Sequence, residues 1–65
     1  MAGIPDRLVL LPNGKCAFVE LKAPGEKPRK LQKIRMKQLR KLGLKTYVID
    51  GVEQIGGVLD EIQSS

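Results

Sequence analysis

Apolar residues fall into five blocks along the chain, and the spacing within each block predicts its secondary structure. Three short runs are almost continuously apolar, which predicts buried strands. Two longer blocks carry apolar residues at intervals of three and four, which predicts helices. In chain order, the predicted elements are a strand at Arg7–Leu11, a strand at Cys16–Leu21, a helix from Pro28 or Arg29 to Leu42, a strand at Leu44–Ile49 and a helix that begins after Asp50.

The order of these elements predicts a mixed sheet. The first two strands form an antiparallel hairpin, and the strand–helix–strand sequence from Cys16 to Ile49 predicts a right-handed crossover between parallel neighbours. The first strand is apolar at consecutive positions, so we expect both of its faces to be covered. We assign Tyr47 to packing in the sheet. The expected fold is α/β (α+β), with a hairpin and a third strand flanked by two helices.

The helices carry recognisable signals at their ends. Proline suits the first turn of the long helix, and Gly43 suits the position just after its last turn. We expect the last helix to begin with a variant capping box formed by Asp50 and Glu53. Its pair Gly56-Gly57 weakens the helix by about 1 kcal/mol per glycine relative to alanine, which close packing against another helix across a dimer would explain. The apolar stripe of the long helix is Leu31, Ile34, Leu39 and Leu42, and Arg35 and Gln38 project into it. The apolar face of the last helix is Val52, Ile55, Leu59 and Ile62.

The turn between the first two strands decides which residues face each other. A two-residue Asn13-Gly14 turn would place Pro12, which has no N–H, at a hydrogen-bonded position. A three-residue loop avoids this, with Pro12 and Asn13 in a type I turn and Gly14 in the left-handed region as a G1 bulge. The expected pairs are Leu11 with Lys15, Leu10 with Cys16, Leu8 with Phe18 and Asp6 with Glu20.

This register brings two acids together at one end of the hairpin. Asp6 opens the first strand, Glu20 closes the second, and Lys22 lies on the same face as Glu20. Directly opposed carboxylates repel each other, and a bound cation would remove that repulsion. Charged strand ends are more often solvated surface when each is considered alone. The combination at this spacing is what favours a divalent-metal site that hydrolyses phosphodiester bonds.

Length and composition limit the ways in which the chain can be stabilised. The 65 residues form one domain, residues 1–65, and a chain of this size buries only about 60% of its unfolded surface. Cys16 has no second cysteine to pair with, and the chain has no histidine, which excludes an internal disulfide and a structural zinc site of the usual ligands. We expect Cys16 to be a small buried residue in a reducing compartment, and a homodimer to add buried surface. Neither a membrane span nor a leader segment is visible, which predicts a soluble intracellular protein.

The formal net charge of +5 is concentrated in one segment. Nine of the twelve Lys and Arg residues lie between Lys27 and Lys45. A basic helix beside an acidic metal site is typical of a protein that grips a polyanion, although a solvated amphipathic helix has the same pattern. One Phe and one Tyr are few for stacking on single strands, which favours recognition of duplex or branched DNA by its backbone. The candidate DNA-contacting residues are Lys27, Arg29, Lys30, Lys33, Arg35 and Lys37.

An ordered set of residues carries a resemblance to a known family. The motif Gly3-x-Pro5-Asp6, the hairpin, Glu20-Leu21-Lys22 and the downstream Gln32 resemble the VRR-NUC (virus-type replication-repair nuclease) domain. That domain is a branch of the PD-(D/E)XK nuclease superfamily, and the match runs from about Gly3 to Asp50. The resemblance implies a minimal restriction-endonuclease-like core. This sequence departs from the family pattern in one respect. The N-terminal acidic helix usual in the family is missing, because only Met1 and Ala2 precede the motif.

The resemblance also implies roles for individual residues. Asp6 and Glu20, with the Leu21 carbonyl, would bind Mg²⁺ or Mn²⁺. Lys22 would orient or activate the attacking water, or stabilise the developing charge, and Gln32 would be a further polar residue of the site. Small free-standing phage members are similar to this chain in size and resemble dimeric junction-cleaving nucleases.

The expected function is therefore a Mg²⁺- or Mn²⁺-dependent endonuclease acting on branched DNA such as four-way junctions. We expect a homodimer in the cytoplasm of a bacterium or a phage-infected host cell. One alternative is a catalytically weak or inactive basic DNA-binding module that keeps the nuclease fold, which the absent N-terminal acid favours. A basic protein-interaction domain is a third reading. The choice among junction, flap and linear duplex stays open.

Overall fold

A computed structural model describes residues 5–64, so Gly3 of the Gly-x-Pro-Asp motif lies outside the described residues. The sheet order is β1-β2-β3, with β1 antiparallel and β3 parallel to the central strand. This is the predicted mixed α+β arrangement, and the parallel pairing expected from the crossover is confirmed. The elements are β1 (Arg7–Leu11), β2 (Lys15–Leu21), α1 (Lys30–Lys41), β3 (Lys45–Ile49), a 3₁₀ turn (Val52–Gln54) and α2 (Ile55–Gln63).

The hairpin has the predicted register but a different turn. Leu10 pairs with Cys16, and the neighbouring pairs follow the same register, so three residues connect the strands. The predicted type I turn is wrong, because Asn13 has a φ of 67° where such a turn needs about −90°. Asparagine tolerates the left-handed region better than most residues. Gly14 is in that region as predicted, with a φ of 72°.

Alternation along the strands divides the sheet between the two helices. Glu20 pairs with Val48, and this face contacts α1 through Gln32. Val19 pairs with Tyr47, and their face packs against α2. The helices therefore lie on opposite faces. The buried apolar residues of the α2 side are Ala17, Val19, Ile49 and Ile62, whereas the α1 side buries Met36 together with the polar residues Glu20 and Thr46.

The first strand is an edge strand, and the prediction that both of its faces are covered is wrong. Leu8 and Leu10 are 55% and 72% exposed. The reason is that α1 packs over β3, at the opposite edge of the sheet, and leaves these leucines uncovered. Cys16, which pairs with Leu10, is half-buried instead of buried as expected.

Helix α1 has the predicted extent but buries a different face. It begins at Lys30 and ends at Lys41, within two residues of the expected limits. Gly43 follows it with a φ of 90°, and the N–H of Leu44 donates to the Leu39 carbonyl, as in a Schellman motif. The predicted apolar stripe is not the buried face. Met36 is the buried residue, and the exposed apolar residues are Leu31, Ile34 and Leu42.

The start of the last helix also differs from the prediction. Asp50 and Glu53 do not form a capping box; the Asp50 N–H donates to Gln54 Oε1 at 2.8 Å, and a 3₁₀ turn precedes α2. Of the predicted apolar face, Ile62 is fully buried and Val52 is 82% exposed. No helix between residues 5 and 64 is long and apolar enough to cross a membrane.

Candidate functional site

Glu20 is the buried centre of the candidate site. It lies near the carboxyl end of β2 and is 4% exposed. Its Oε2 accepts a hydrogen bond from Gln32 Nε2 at 2.8 Å and forms an ion pair with Lys22 Nζ at 3.1 Å. Its Oε1 accepts a hydrogen bond from the Asp6 N–H at 3.2 Å. These partners offset the desolvation of a charge that would be strongly unfavourable if it were buried alone.

Asp6 lies opposite Glu20, one step beyond the Arg7–Val19 pair of the ladder. Its Oδ1 accepts a hydrogen bond from the Leu21 N–H at 3.2 Å, while its own N–H donates to Glu20. The residue is exposed. The two acidic residues are therefore joined through the backbone N–H of Asp6, with Glu20 buried and Asp6 exposed.

Gln32 links this site to the first turn of α1. Its Nε2 donates to Glu20, and its Oε1 accepts a hydrogen bond from the Arg29 N–H at 2.9 Å, which is the N3 half of a capping box. The first turn of α1 contains no acidic residue. Glu20 therefore supplies, from the sheet, the negative charge that a helix N-terminus favours.

The oxygen donors at this end of the sheet fit a hard divalent cation. No group of three or more His, Cys, Asp or Glu side chains able to hold a metal occurs in residues 5–64. Mg²⁺ is commonly held by one or two carboxylates while waters and substrate phosphates complete its coordination. Asp6 and Glu20, with the Leu21 carbonyl, are the groups that would hold such an ion. When bound, it would acidify water and neutralise phosphate charge.

Comparison with known proteins identifies the family of the chain. The sequence model of the VRR-NUC domain family matches residues 1–53 of the chain. The chain belongs to the VRR-NUC domain family. A relative named "Putative nuclease p44", from Acyrthosiphon pisum secondary endosymbiont phage 1, is 56% identical over 48 residues. The aligned part covers 74% of this chain and 52% of the relative, so the chain spans about half the length of that curated protein.

The basic residues of this VRR-NUC domain are divided between two flanks of α1. Lys33, Lys37 and Arg40 line an open groove of about 440 Å³ between the helix and β3. Arg35 is two positions from both lysines, about 200° around the helix, and its Nη1 donates to Gln38 Oε1 at 2.9 Å. The other three predicted cations, Lys27, Arg29 and Lys30, are exposed.

Sequence reasoning missed Arg40. Its Nε donates to the hydroxyl of Thr46 at 2.6 Å, and Thr46 is 7% exposed in β3. The spacing of Lys33, Lys37 and Arg40 at i, i+4 and i+7 was the available signal, because it places all three on one side of a helix. The contact with Thr46 depends on how β3 packs, which the local pattern does not contain.

A cleft of about 480 Å³ lies beside Lys22, at the carboxyl ends of the two parallel strands. Its polar lining includes Asp50 and Glu53, while Pro24 and Val52 belong to its apolar wall. This cleft was not predicted, since it forms only where β2 and β3 end side by side.

Tyr47 is outside the site, as expected from its assignment to sheet packing. Strand alternation places it on the α2 face, opposite to Glu20. Burial raises the pKa of its phenol above the usual value, and the Glu61 carboxylate raises it further. Its hydroxyl therefore stays protonated at neutral pH.

Proposed function

We propose that this VRR-NUC domain is a metal-dependent endonuclease that hydrolyses phosphodiester bonds in DNA. The observation that carries the proposal is the convergence of Asp6, Glu20, Lys22 and Gln32 at one end of the sheet. Their contacts, from 2.8 to 3.2 Å, join β2 to the chain preceding β1 and to α1. A buried carboxylate beside a lysine and an exposed carboxylate is more than a surface strand end requires.

The four side chains have separate roles in this proposal. Asp6 and Glu20, with the Leu21 carbonyl, hold Mg²⁺ or Mn²⁺. Lys22 keeps its ammonium group beside the metal-binding carboxylate, where it orients the attacking water or stabilises negative charge on the phosphate. Gln32 fixes the Glu20 carboxylate through its 2.8 Å hydrogen bond. Positioned groups of this kind lower the barrier because little reorganisation is needed during the reaction.

The proposed substrate is branched DNA, such as a four-way junction, gripped by the cations of α1 and the preceding loop. Six cations and no acid occur between Lys30 and Lys41. The chain has few aromatic residues, which supports recognition of the duplex backbone over stacking of single-stranded bases. The residues proposed to contact DNA are Lys27, Arg29, Lys30, Lys33 and Lys37; Arg35, on the other flank of α1, is left out.

We further propose that two copies associate. The support is the uncovered apolar surface, which includes Leu8 and Leu10 in β1 and Leu42 after α1. A dimer would present two sites to the opposed strands of a junction. A monomeric mass at micromolar concentration, measured by sedimentation velocity, would contradict this part of the proposal.

The phage origin of the similar protein supports a site of action in the cytoplasm of an infected bacterium.

The decisive experiment is a cleavage panel. Labelled four-way junction, flap and linear duplex DNA are incubated with the protein in Mg²⁺, in Mn²⁺ and in chelator. We expect cutting only with metal and fastest on the junction. The cleavage rate of the Asp6→Asn variant should fall more than about a hundredfold. Loss of a residue that only hydrogen-bonds to a metal ligand already costs about 10- to 100-fold.

The matched control is Asp60→Asn, which removes an exposed carboxylate from α2, far along the chain from the site. It should cut at the wild-type rate. Equal cleavage in chelator, or wild-type activity of the Asp6→Asn variant, would rule out the proposed site.

A second candidate function is DNA binding without catalysis. It is favoured by the small number of carboxylates, because within residues 5–64 no third acid joins Asp6 and Glu20 to form a metal-holding group. Salt-sensitive binding to all three substrates, with no cleavage in either metal, would select this function.

A further inference from the structure

Three cations on one flank of α1 form a row beside an open groove. Lys33, Lys37 and Arg40 line it, and Met36 and Val48 form part of its floor. The row extends over about 10 Å of helix axis, at 1.5 Å per residue. One DNA strand rises about 3.4 Å per nucleotide, so the row matches the length of about three nucleotides.

We propose that this groove holds the sugar–phosphate backbone of one DNA strand, with Lys33, Lys37 and Arg40 each contacting a phosphate. The inference rests on the proposed nuclease function and assigns the path of its substrate. Phosphate recognition here depends on charge and on hydrogen-bond donors, not on base sequence. The groove therefore binds duplexes of any sequence equally.

Arg40 is the preorganised member of the row. Its Nε is bound to the Thr46 hydroxyl at 2.6 Å, and Thr46 is buried in β3. A hydrogen bond at Nε leaves the two terminal NH₂ groups available for phosphate oxygens. Thr46 is thus a positioning residue, which restricts the guanidinium before DNA arrives and reduces the entropy lost on binding.

The groove begins one residue after the candidate site along α1. Lys33 directly follows Gln32, whose amide contacts Glu20, and Pro28 from the preceding loop also lines the groove. The other cleft near the site carries the carboxylates of Asp50 and Glu53, which repel phosphate. A strand that reaches the site therefore runs along the α1 side.

The first test measures DNA binding in chelator, where no metal-dependent cleavage can interfere. Anisotropy of a labelled linear duplex is recorded over a series of salt concentrations. The Lys33→Ala/Lys37→Ala/Arg40→Ala variant should lower the slope of log affinity against log salt by about 2.7, at 0.9 per phosphate contact.

The matched control removes three cations outside the groove, at Lys15, Arg35 and Lys45. The Lys15→Ala/Arg35→Ala/Lys45→Ala variant has the same net charge as the groove variant, and its slope should change by less than about 1. Circular dichroism is recorded to check that both variants are folded. Equal slope changes in the two variants would overturn the groove assignment, because net charge alone would then explain binding.

The second test isolates the positioning role of Thr46. Thr46→Val removes the hydroxyl, keeps a β-branched residue in the strand and leaves every cation in place. We expect about two- to tenfold weaker binding, the effect of losing one hydrogen bond. The loss should disappear when Arg40 is already alanine, as in a double-mutant cycle. An undiminished effect of Thr46→Val in the Arg40→Ala background would show that Thr46 does not act through Arg40.

Failure of the groove and failure of the nuclease are distinguishable. If the groove variant alone loses affinity and no form cuts DNA, the groove stands and the catalytic proposal fails. If metal-dependent cutting occurs while the groove variant binds like wild type, only the groove assignment fails. The Asp60→Asn variant should bind with the wild-type salt slope. Absence of binding at low salt would overturn the groove proposal.

Discussion

A single buried carboxylate joins three parts of the chain. Glu20 receives a hydrogen bond from the backbone of Asp6, an ion pair from Lys22 and a hydrogen bond from Gln32. Folding has to complete all of these contacts to compensate the loss of water around the charge. The groups proposed for chemistry are thus also groups on which the stability of this end of the sheet depends.

Removal of Lys22 should consequently destabilise the fold as well as the activity. The Lys22→Met variant leaves the buried Glu20 without its ion pair, and loss of one partner of a buried pair costs about 3–5 kcal/mol. Urea unfolding followed by circular dichroism at neutral pH measures this loss. Adding Glu20→Gln removes the isolated charge and should recover part of the stability. If the Lys22→Met variant is as stable as wild type, the Lys22–Glu20 ion pair contributes nothing to the stability of the fold.

The site was predictable from sequence to different degrees. Strand alternation and the hairpin register were sufficient to bring Asp6, Glu20 and Lys22 together. Gln32 entered only through the resemblance to the VRR-NUC domain, because a glutamine in a helix is ordinarily a solvent-facing residue. Arg40 was missed since its position depends on Thr46, a neighbour in space on another element.

At the scale of elements, the limits of strands and helices followed from the pattern, but the buried faces did not. In α1 the hydrophobic stripe predicted one orientation, and the helix instead directs Gln32 and Met36 at the sheet. In this orientation Gln32 donates a hydrogen bond to Glu20, and Arg40 donates one to Thr46. Apolar periodicity reports that a helix is amphipathic, but it does not report polar partners on the opposing strands.

Substitutions at two glycines test whether the backbone conformation at each position requires glycine. Gly43 has a φ of 90°, so Gly43→Ala should lower stability by about 1 kcal/mol. Gly56 lies within α2, where an added Cβ would meet nothing within 4 Å. Gly56→Ala should raise stability by about 0.5–1 kcal/mol. Thermal unfolding measures both changes.

The sign of the Gly56→Ala effect carries additional information. A lower unfolding temperature for this variant would contradict the open space around Gly56. It would indicate that another helix packs there, such as that of a second copy.

For the molecule as a whole, the two faces of the sheet are stabilised differently. The α2 side contains the apolar core, and the α1 side combines Met36 with buried polar residues. A local reading of the sequence treats both helices alike, because both are amphipathic. Only the packing reveals that apolar burial dominates one side and hydrogen bonding the other.

Two side-chain truncations, one in the core and one in the uncovered edge strand, should differ in their effect on stability. Ile62 is 0% exposed, and Ile62→Ala should cost about 2–5 kcal/mol. Leu10 is 72% exposed, and Leu10→Ala should change monomer stability by at most about 0.5 kcal/mol. Urea unfolding at low protein concentration compares them. Similar losses in the two variants would show that the edge strand is covered in solution.

Charge is also sorted by face, and this has a kinetic consequence. Helix α1 carries six cations and no acid, whereas the chain after Lys45 has four acids and no cation. Because the helices lie on opposite faces of the sheet, the formal charges of these two segments give an electric dipole across it. Near a polyanion, the resulting torque turns each molecule α1-first before contact. For the proposed DNA substrate, this orientation would shorten the rotational search that normally slows specific association and would present Lys33 and its neighbours first.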